Sequence, residues 1–276
     1  MTLAPTLENV QQLLDEKLFE LFSSHTPLMA ASRHALHGGK RLRPLLLLSA
    51  ALTYDCPTER ALLPALAWEL IHTYSLIHDD LPCMDDDDER RGRPTLHRAF
   101  PEWHAVLTGD FLLTYAFELL ATAPDLPDTL KLNLISLLSR SSGGEGMVGG
   151  QMLDLGLAPS ETSWPEVEML HRKKTGALFA SALEAGGRLG NAPSEDCKLL
   201  SQLGENFGLY YQIADDLVDG ESESPSALTT LGRERAEELL TSLKAKSDSL
   251  LQTLSVPAPL IRAITRVMHR SFQTKP

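Results

Sequence analysis

"RALLPALAWELIHTYSLIHDD", residues 60–80, decides the fold. Its apolar residues follow helical periodicity from 60 to 78, and the run ends on two adjacent carboxylates, Asp79 and Asp80. The same periodicity extends outward from it. Leu7, Val10, Leu14, Leu18, Leu21 and Phe22 fall three and four apart, and similar patterns fill 44–53, 103–121, 129–139, 166–188, 196–219, 233–254 and 259–271. Alternating strand-like segments are absent, and Pro and Gly mark the breaks, among them Pro57, Pro94, Pro124, Gly143–Gly144, Pro193, Pro225 and Pro257. No repeat of fixed period and no low-complexity linker divides the chain. The pattern predicts an all-α fold, one domain over residues 1–276 built from about nine or ten helices.

Asp79 and Asp80 stand at the C-terminal end of their helix, where the macrodipole disfavours negative charge unless a cation offsets it. With Asp79 as reference and about 100° per residue, His72, Ser75 and Leu76 share its side of the helix, whereas Tyr74 lies roughly 140° away. Pro82 breaks the helix and lets the chain turn Asp85 back toward Asp79. A second acidic cluster is "YYQIADDLVDG", 210–220. On a wheel Gln212, Asp215, Asp216 and Asp219 fall within an arc of roughly 100°, while Leu203, Phe207, Tyr210, Ala214 and Leu217 occupy the other side. One face packs and the other presents three carboxylates.

An isolated acidic stretch is most often a solvated face, and Asp86–Asp88 and Glu89 are read that way. Two such clusters, each closing a long apolar helix, point instead to a hard-cation site. Mg²⁺ takes a few carboxylate oxygens, keeps water, and completes its shell with substrate phosphates. Arg90 and Arg91, just beyond the first cluster, suit bidentate phosphate binding.

Bulk composition narrows the partners. The chain has 276 residues, 43% hydrophobic and 22% charged, with a net charge of −12, which argues against nucleic acid. Cys56, Cys83 and Cys197 share no metal-ligand spacing and fit a reducing compartment. No apolar run approaches the roughly 20 residues of a membrane span, the longest lying near Leu45–Leu48. No secretory signal opens the chain. A cytoplasmic protein is expected, or a plastid one if a transit peptide has been removed.

"DDLPCMD" (79–85), "DERRGRPT" (88–95) and "DDLVD" (215–219) together closely resemble the trans-isoprenyl diphosphate synthases, most of all the farnesyl and geranylgeranyl diphosphate synthases of bacteria and plastids. "GGKRLRP" (38–44), "IHTYSLIHDD" (71–80), "LTGD" (107–110), "GMVGGQMLDL" (146–155) and "HRKKTGALF" (171–179) match in the family's order. The resemblance implies an isoprenoid synthase type I fold, with helices around a deep central cavity and the two aspartate motifs facing each other across its mouth. It implies three Mg²⁺ ions, with Mn²⁺ as a possible substitute, bridging those motifs to an allylic diphosphate. Isopentenyl diphosphate binds alongside in a basic pocket, the two join head to tail, and diphosphate is released. It also implies a homodimer.

Residue by residue, the resemblance makes Asp79, Asp80, Asp85, Asp215, Asp216 and Asp219 the metal ligands. It assigns Arg90 and Lys174 to the allylic diphosphate, and Thr175 and Gln212 to the neighbourhood of the reacting carbons. Lys40, Arg43, His72 and Arg91 match the isopentenyl diphosphate pocket. For Thr175 alone a helix-cap role is the plainer reading, and a lone His72 is more often a hydrogen-bonded core histidine. The family's chain-length gate falls on Tyr74, where a bulky ring would favour farnesyl diphosphate. The wheel places Ser75 more nearly beneath Asp79, so Ser75 is a second candidate.

One region departs from the family. After Asp219 the loop "GESESPSALTTLG" (220–232) is short, and no lysine occurs between Lys198 and Lys244. One phosphate-contacting cation is therefore missing. The leading expectation is a farnesyl diphosphate synthase acting on dimethylallyl and geranyl diphosphates. Geranylgeranyl or geranyl diphosphate synthesis and a non-catalytic regulatory subunit are the alternatives. A terpene cyclase shares the metal logic but needs no second diphosphate pocket of the kind Lys40, Arg43 and His72 suggest.

Overall fold

The computed structural model describes residues 6–158, 162–220 and 225–271. Its described chain is all-α apart from one tiny hairpin. The helices are α1 (Leu7–Leu21), α2 (Pro27–Leu36), α3 (Leu42–Thr53), α4 (Thr58–Asp79), α5 (Leu96–Ala99), α6 (Glu102–Thr122), α7 (Asp128–Ser142), α8 (Met147–Gly156), α9 (Trp164–His171), α10 (Ala177–Leu189), α11 (Ser194–Asp219), α12 (Ala227–Leu231), α13 (Arg233–Thr253) and α14 (Pro259–Ser271). A π-turn, Arg172–Gly176, joins α9 to α10. The long periodic segments became helices within a few residues of their expected bounds. The sequence pattern does not show the short α2, α5, α8 and α12, which at four to ten residues span one to three turns and hold too few apolar residues for a clear period.

The chain divides into two compact units, Met1–Leu45 with Glu59–Ile135, and Leu46–Thr58 with Ser136–Pro276. The first is organised by α4. Ala61, Ala65, Leu66, Trp68, Leu70 and Ile71 are all fully buried, so this helix is apolar nearly all round, as a core helix must be. The second is organised by α11. Its face bearing Leu209, Tyr210, Ile213 and Ala214 packs with Ala227, Ala236 and Leu243. Crossing of α10 and α11 is unusually close. A Cβ on Gly204 would stand 2.5 Å from Ala180 N, and one on Gly208 would stand 2.5 Å from Gly176 Cα. α11 stops at Gly220, whose left-handed φ of 81° serves as a helix terminator.

The strand-like segments thought absent number two. β1 (Glu89–Arg90) pairs antiparallel with β2 (Arg93–Pro94), with Arg90 opposite Arg93. Arg91 (φ 57°) and Gly92 (φ 71°) form the connecting loop. Positive φ at both positions matches a two-residue type I′ hairpin. Two residues per strand are too few to produce an alternating pattern.

The expectation that no segment reaches membrane-spanning length needs correcting. α6, 21 residues, is apolar and long enough by length and composition alone. Within it, Ala105, Thr108, Gly109, Leu112, Ala116, Leu119 and Leu120 are buried in the protein, and Asp110 and Glu118 interrupt the other sides.

Candidate active site

The first aspartate motif lies wholly in the first unit. α4 ends at Asp79, Asp80 N–H donates to Leu76 O (3.1 Å), and Asp85 N–H donates to Asp79 O (2.9 Å). The chain therefore does turn back after Pro82, and the backbone brings Asp85 to Asp79. Asp79 and Asp80 are buried, and Asp85 is exposed. Burial pushes the Asp80 carboxyl above the usual carboxylate range, against the pull of Arg90. Arg90 contacts Asp80 Oδ1 through Nη2 (2.5 Å) and Nε (2.7 Å), and it reaches Asp87 Oδ2 (3.0 Å). This is the offsetting cation that a carboxylate at a helix C-terminus requires. The acid run expected to be only solvated is also partly neutralised, with Arg98 on Asp88 (2.5 Å) and Asp86 (3.4 Å).

The type I′ loop aims the two arginines apart. While Arg90 turns to Asp80, Arg91 Nη1 donates to His37 O (3.4 Å) and Gly38 O (3.3 Å). Its guanidinium lies over Gly39, where a Cβ would sit 2.7 Å from Cζ. Gly38 and Gly39 both have left-handed φ, 68° and 92°. They lead into exposed Lys40 and into Arg43, which lies in the first turn of α3. Half-buried His72 stands near the same group. Desolvation, and then Arg43, Arg91, Arg90 and Arg41, hold its imidazole well below its ordinary pKa, so it is neutral at pH 7. Arg43 and Arg91 thus stand near His72, and Lys40 directly follows the glycine turn that Arg91 covers, all in one unit. Beside Asp80 a cavity of about 40 Å³ is lined by Arg90, Arg91, Arg93, His34 and Thr73, enough for a few waters.

Arg41 and Glu69 went unremarked at the sequence level. Arg41, with a left-handed φ of 50°, is buried, and its Nη1 pairs with buried Glu69 (2.7 Å) while Nε reaches Asp15 (3.0 Å). Glu69 is one turn before His72, so this pair pins the glycine turn to the helix carrying His72 and the aspartates. The available signal was a glutamate inside the apolar 60–78 run, which burial obliges to find a cation.

The second motif lies in the second unit. Gln212, Asp215 and Asp216 are half-buried on α11, and Asp219 is exposed. Asp216 Oδ2 accepts from His171 Nε2 (3.2 Å) and from Ala227 N–H (2.7 Å). His171 is buried, and its role was missed although it opens "HRKKTGALF". Thr175 is not a cap. It sits inside the π-turn, and its Oγ1 donates to Gln212 Oε1 (2.9 Å). The π-turn adds a residue to the helix and so re-aims Lys174 and Thr175, a device common at functional sites. Lys174 pairs with Asp154 on α8 (2.5 Å). α8 comes that close because Gly150 lacks a Cβ, which would lie 2.6 Å from Lys174 Cα. The short loop after Asp219 includes residues 221–224, which lie outside the described residues. Arg233 donates to Leu217 O (3.3 Å), setting a cation at the C-terminal end of α11.

Among the described residues no three His, Cys, Asp or Glu side chains converge closely enough to hold an ion alone. Mg²⁺ takes few protein ligands and fills its shell with water and phosphate oxygens. The carboxylate-only donor set suits a hard cation, and Gln151 Nε2, buried on α8 without a partner among the described residues, is a spare donor of the kind a phosphate oxygen satisfies. The residues present fit the group. Of the gate candidates, Tyr74 is buried with its ring edge-on to His78 (centroids 5.8 Å), and Ser75 Oγ donates to His72 O (2.9 Å).

The polyprenyl synthetase family pattern matches residues 25–243. A farnesyl diphosphate synthase of Geobacillus stearothermophilus is 38% identical, over 84% of this chain and 83% of its own length. An FPP/GFPP synthase from Zymomonas mobilis, solved in its apo form, superposes with a TM-score of 0.88 at 38% identity, covering 95% of this chain and 97% of that one. A geranyltransferase from Helicobacter pylori, solved with magnesium and isoprenyl diphosphate, superposes at 0.83 with 31% identity and full coverage of both chains (100%). With a family pattern spanning both aspartate motifs, this chain belongs to the polyprenyl synthetase family.

Proposed function

We propose that this protein is a Mg²⁺-dependent short-chain prenyltransferase, joining isopentenyl diphosphate to dimethylallyl and geranyl diphosphates to give farnesyl diphosphate, with residues 1–276 forming one synthase domain. The observation that supports this most is the grouping of Arg43 and Arg91 about His72, beside the glycine turn that leads into Lys40, a second cationic pocket beyond what ionising one diphosphate requires. The 38% identity to a farnesyl diphosphate synthase supports the product.

Asp79, Asp80, Asp85, Asp215, Asp216 and Asp219 would hold Mg²⁺, three ions when substrate is bound. The metal supplies neutralisation of charge on the departing diphosphate. Arg90 and Lys174 bind the allylic diphosphate by exchanging Asp80 and Asp154 for phosphate oxygens. Each starts from an ion pair, so the cation is ordered before substrate arrives. The allylic C–O bond breaks, and its electron pair leaves with diphosphate. The double bond of isopentenyl diphosphate attacks the allylic carbon, and the new cation loses a proton to the departed diphosphate. Thr175 and Gln212, locked together by their hydrogen bond, present oxygen dipoles to the cation. Neutral His72 offers a hydrogen bond to isopentenyl diphosphate among the arginines. Tyr74 closes the chain-length cavity, with Ser75 beside it.

A homodimer fits the surface. Trp103, Val106 and Leu107 form an exposed apolar patch on α6, and Val148, Met152 and Leu155 form another on α8. A cytoplasmic location follows the bacterial relatives. Incubating the protein with Mg²⁺, isopentenyl diphosphate and dimethylallyl diphosphate tests the reading. Farnesyl diphosphate is the expected chromatographic product. No prenyl product would overturn catalysis in favour of a regulatory subunit.

A further inference from the structure

"LTGD" (107–110) has no part in the chemistry above, yet it holds the tightest steric constraint on α4. A Cβ on Gly109 would overlap the His78 imidazole, 2.5 Å from Cδ2 and 2.7 Å from Cε1. The imidazole is not at liberty to swing aside at no cost. Its Nε2–H donates to Val106 O (3.2 Å), one turn earlier on α6, and its ring meets the edge of Tyr74 at 5.8 Å and 75°. Tyr74 and His78 are one turn apart on α4, so they share a face. The bare backbone at Gly109 therefore admits His78, and His78 backs the Tyr74 ring.

We infer that Gly109 and His78 determine product chain length, acting as positioning residues that fix the Tyr74 ring. The inference rests on the reading of Tyr74 as the gate. A ring stops a growing chain only if it cannot be displaced. Tyr74 has two χ angles, and a neighbour on its own helix supplies the stiffness. That neighbour is in turn held against α6 by a hydrogen bond and by the absence of a side chain at position 109. Removing the imidazole leaves a void into which the phenol ring can retreat, and the cavity deepens. A methyl at 109 then refills part of that void.

The test is product chain length, read as the ratio of geranylgeranyl to farnesyl diphosphate at matched conversion, so that a slower enzyme does not move it. Because Gly109→Ala alone forces a methyl onto the imidazole and risks misfolding, the variants are Tyr74→Ala, His78→Ala and the double variant His78→Ala with Gly109→Ala. Tyr74→Ala lengthens the product. His78→Ala raises the ratio by about tenfold, the discrimination that a methylene-sized change in an apolar pocket provides. The double variant falls back toward wild type. Wild-type ratios in both His78 variants, with Tyr74→Ala still lengthening the product, would overturn the inference and leave the gate standing. An unchanged ratio in Tyr74→Ala would overturn the gate reading and the inference with it.

Discussion

The two aspartate motifs are held ready by opposite means. In the first, buried Asp80 is balanced by Arg90, a charged side chain that is 32% exposed and shared with Asp87. In the second, Asp216 is held by buried His171 and by the backbone N–H of Ala227. The first arrangement is an exchangeable ion pair and the second a fixed scaffold. A carboxylate at a helix C-terminus needs a cation until a metal arrives, and an arginine that leaves Asp80 for a phosphate carries its charge with it. Asp216, in the last turn of α11, is oriented by a ring nitrogen and an amide, while Arg233 places a cation on the backbone of that helix end instead of on the carboxylate.

The largest expected effect tests whether both arrangements serve one reaction. Asp79→Ala and Asp215→Ala should each lower kcat by about 10³-fold, several kcal/mol of lost charge stabilisation. Near-normal turnover in either would remove that motif from the chemistry. Next comes the support of the first motif. Glu69→Gln leaves Arg41 buried without its nearest partner, and should cost about 3 kcal/mol in urea unfolding. It should also raise KM for isopentenyl diphosphate more than it lowers kcat. For the scaffolded motif, His171→Ala should raise the Mg²⁺ concentration at half-maximal rate by about tenfold, as loss of a ligand-orienting partner does. If Arg90 rather than His171 governed Mg²⁺ demand at both motifs, the contrast drawn above would collapse.

The smallest effect concerns pH. His72 has a lower pKa folded than unfolded, so between the two values the unfolded chain binds the extra proton and stability rises with pH. Stability is lost as pH falls below the unfolded imidazole's value of about 6.5, by at most about 1.4 kcal/mol per pH unit from this group. His72→Asn should flatten the dependence between pH 7 and 5.5, measured as the urea midpoint. An equally steep loss in the variant would place the acid sensitivity elsewhere.

Most of the helices were legible because periods such as Leu7, Val10, Leu14 and Leu18 repeat over several turns. The carboxylates stand out in the sequence because adjacent acids at the end of an apolar helix are costly without a purpose. What escaped was local backbone geometry. The hairpin at Arg91–Gly92, the π-turn at Arg172–Gly176 and the left-handed Arg41 are each set by a few dihedral angles and leave no periodic trace. Positioning partners escaped for a different reason. Glu69, Asp154 and His171 act on residues 28, 20 and 45 positions away in the chain, and one-dimensional spacing says nothing about such pairs.

The most direct measurement is diphosphate released from geranyl diphosphate with Mg²⁺ present, with and without isopentenyl diphosphate. The account predicts one diphosphate per farnesyl chain formed, and no release when either the metal or isopentenyl diphosphate is withheld. Equal release in the absence of isopentenyl diphosphate, or none with all components present, would contradict it.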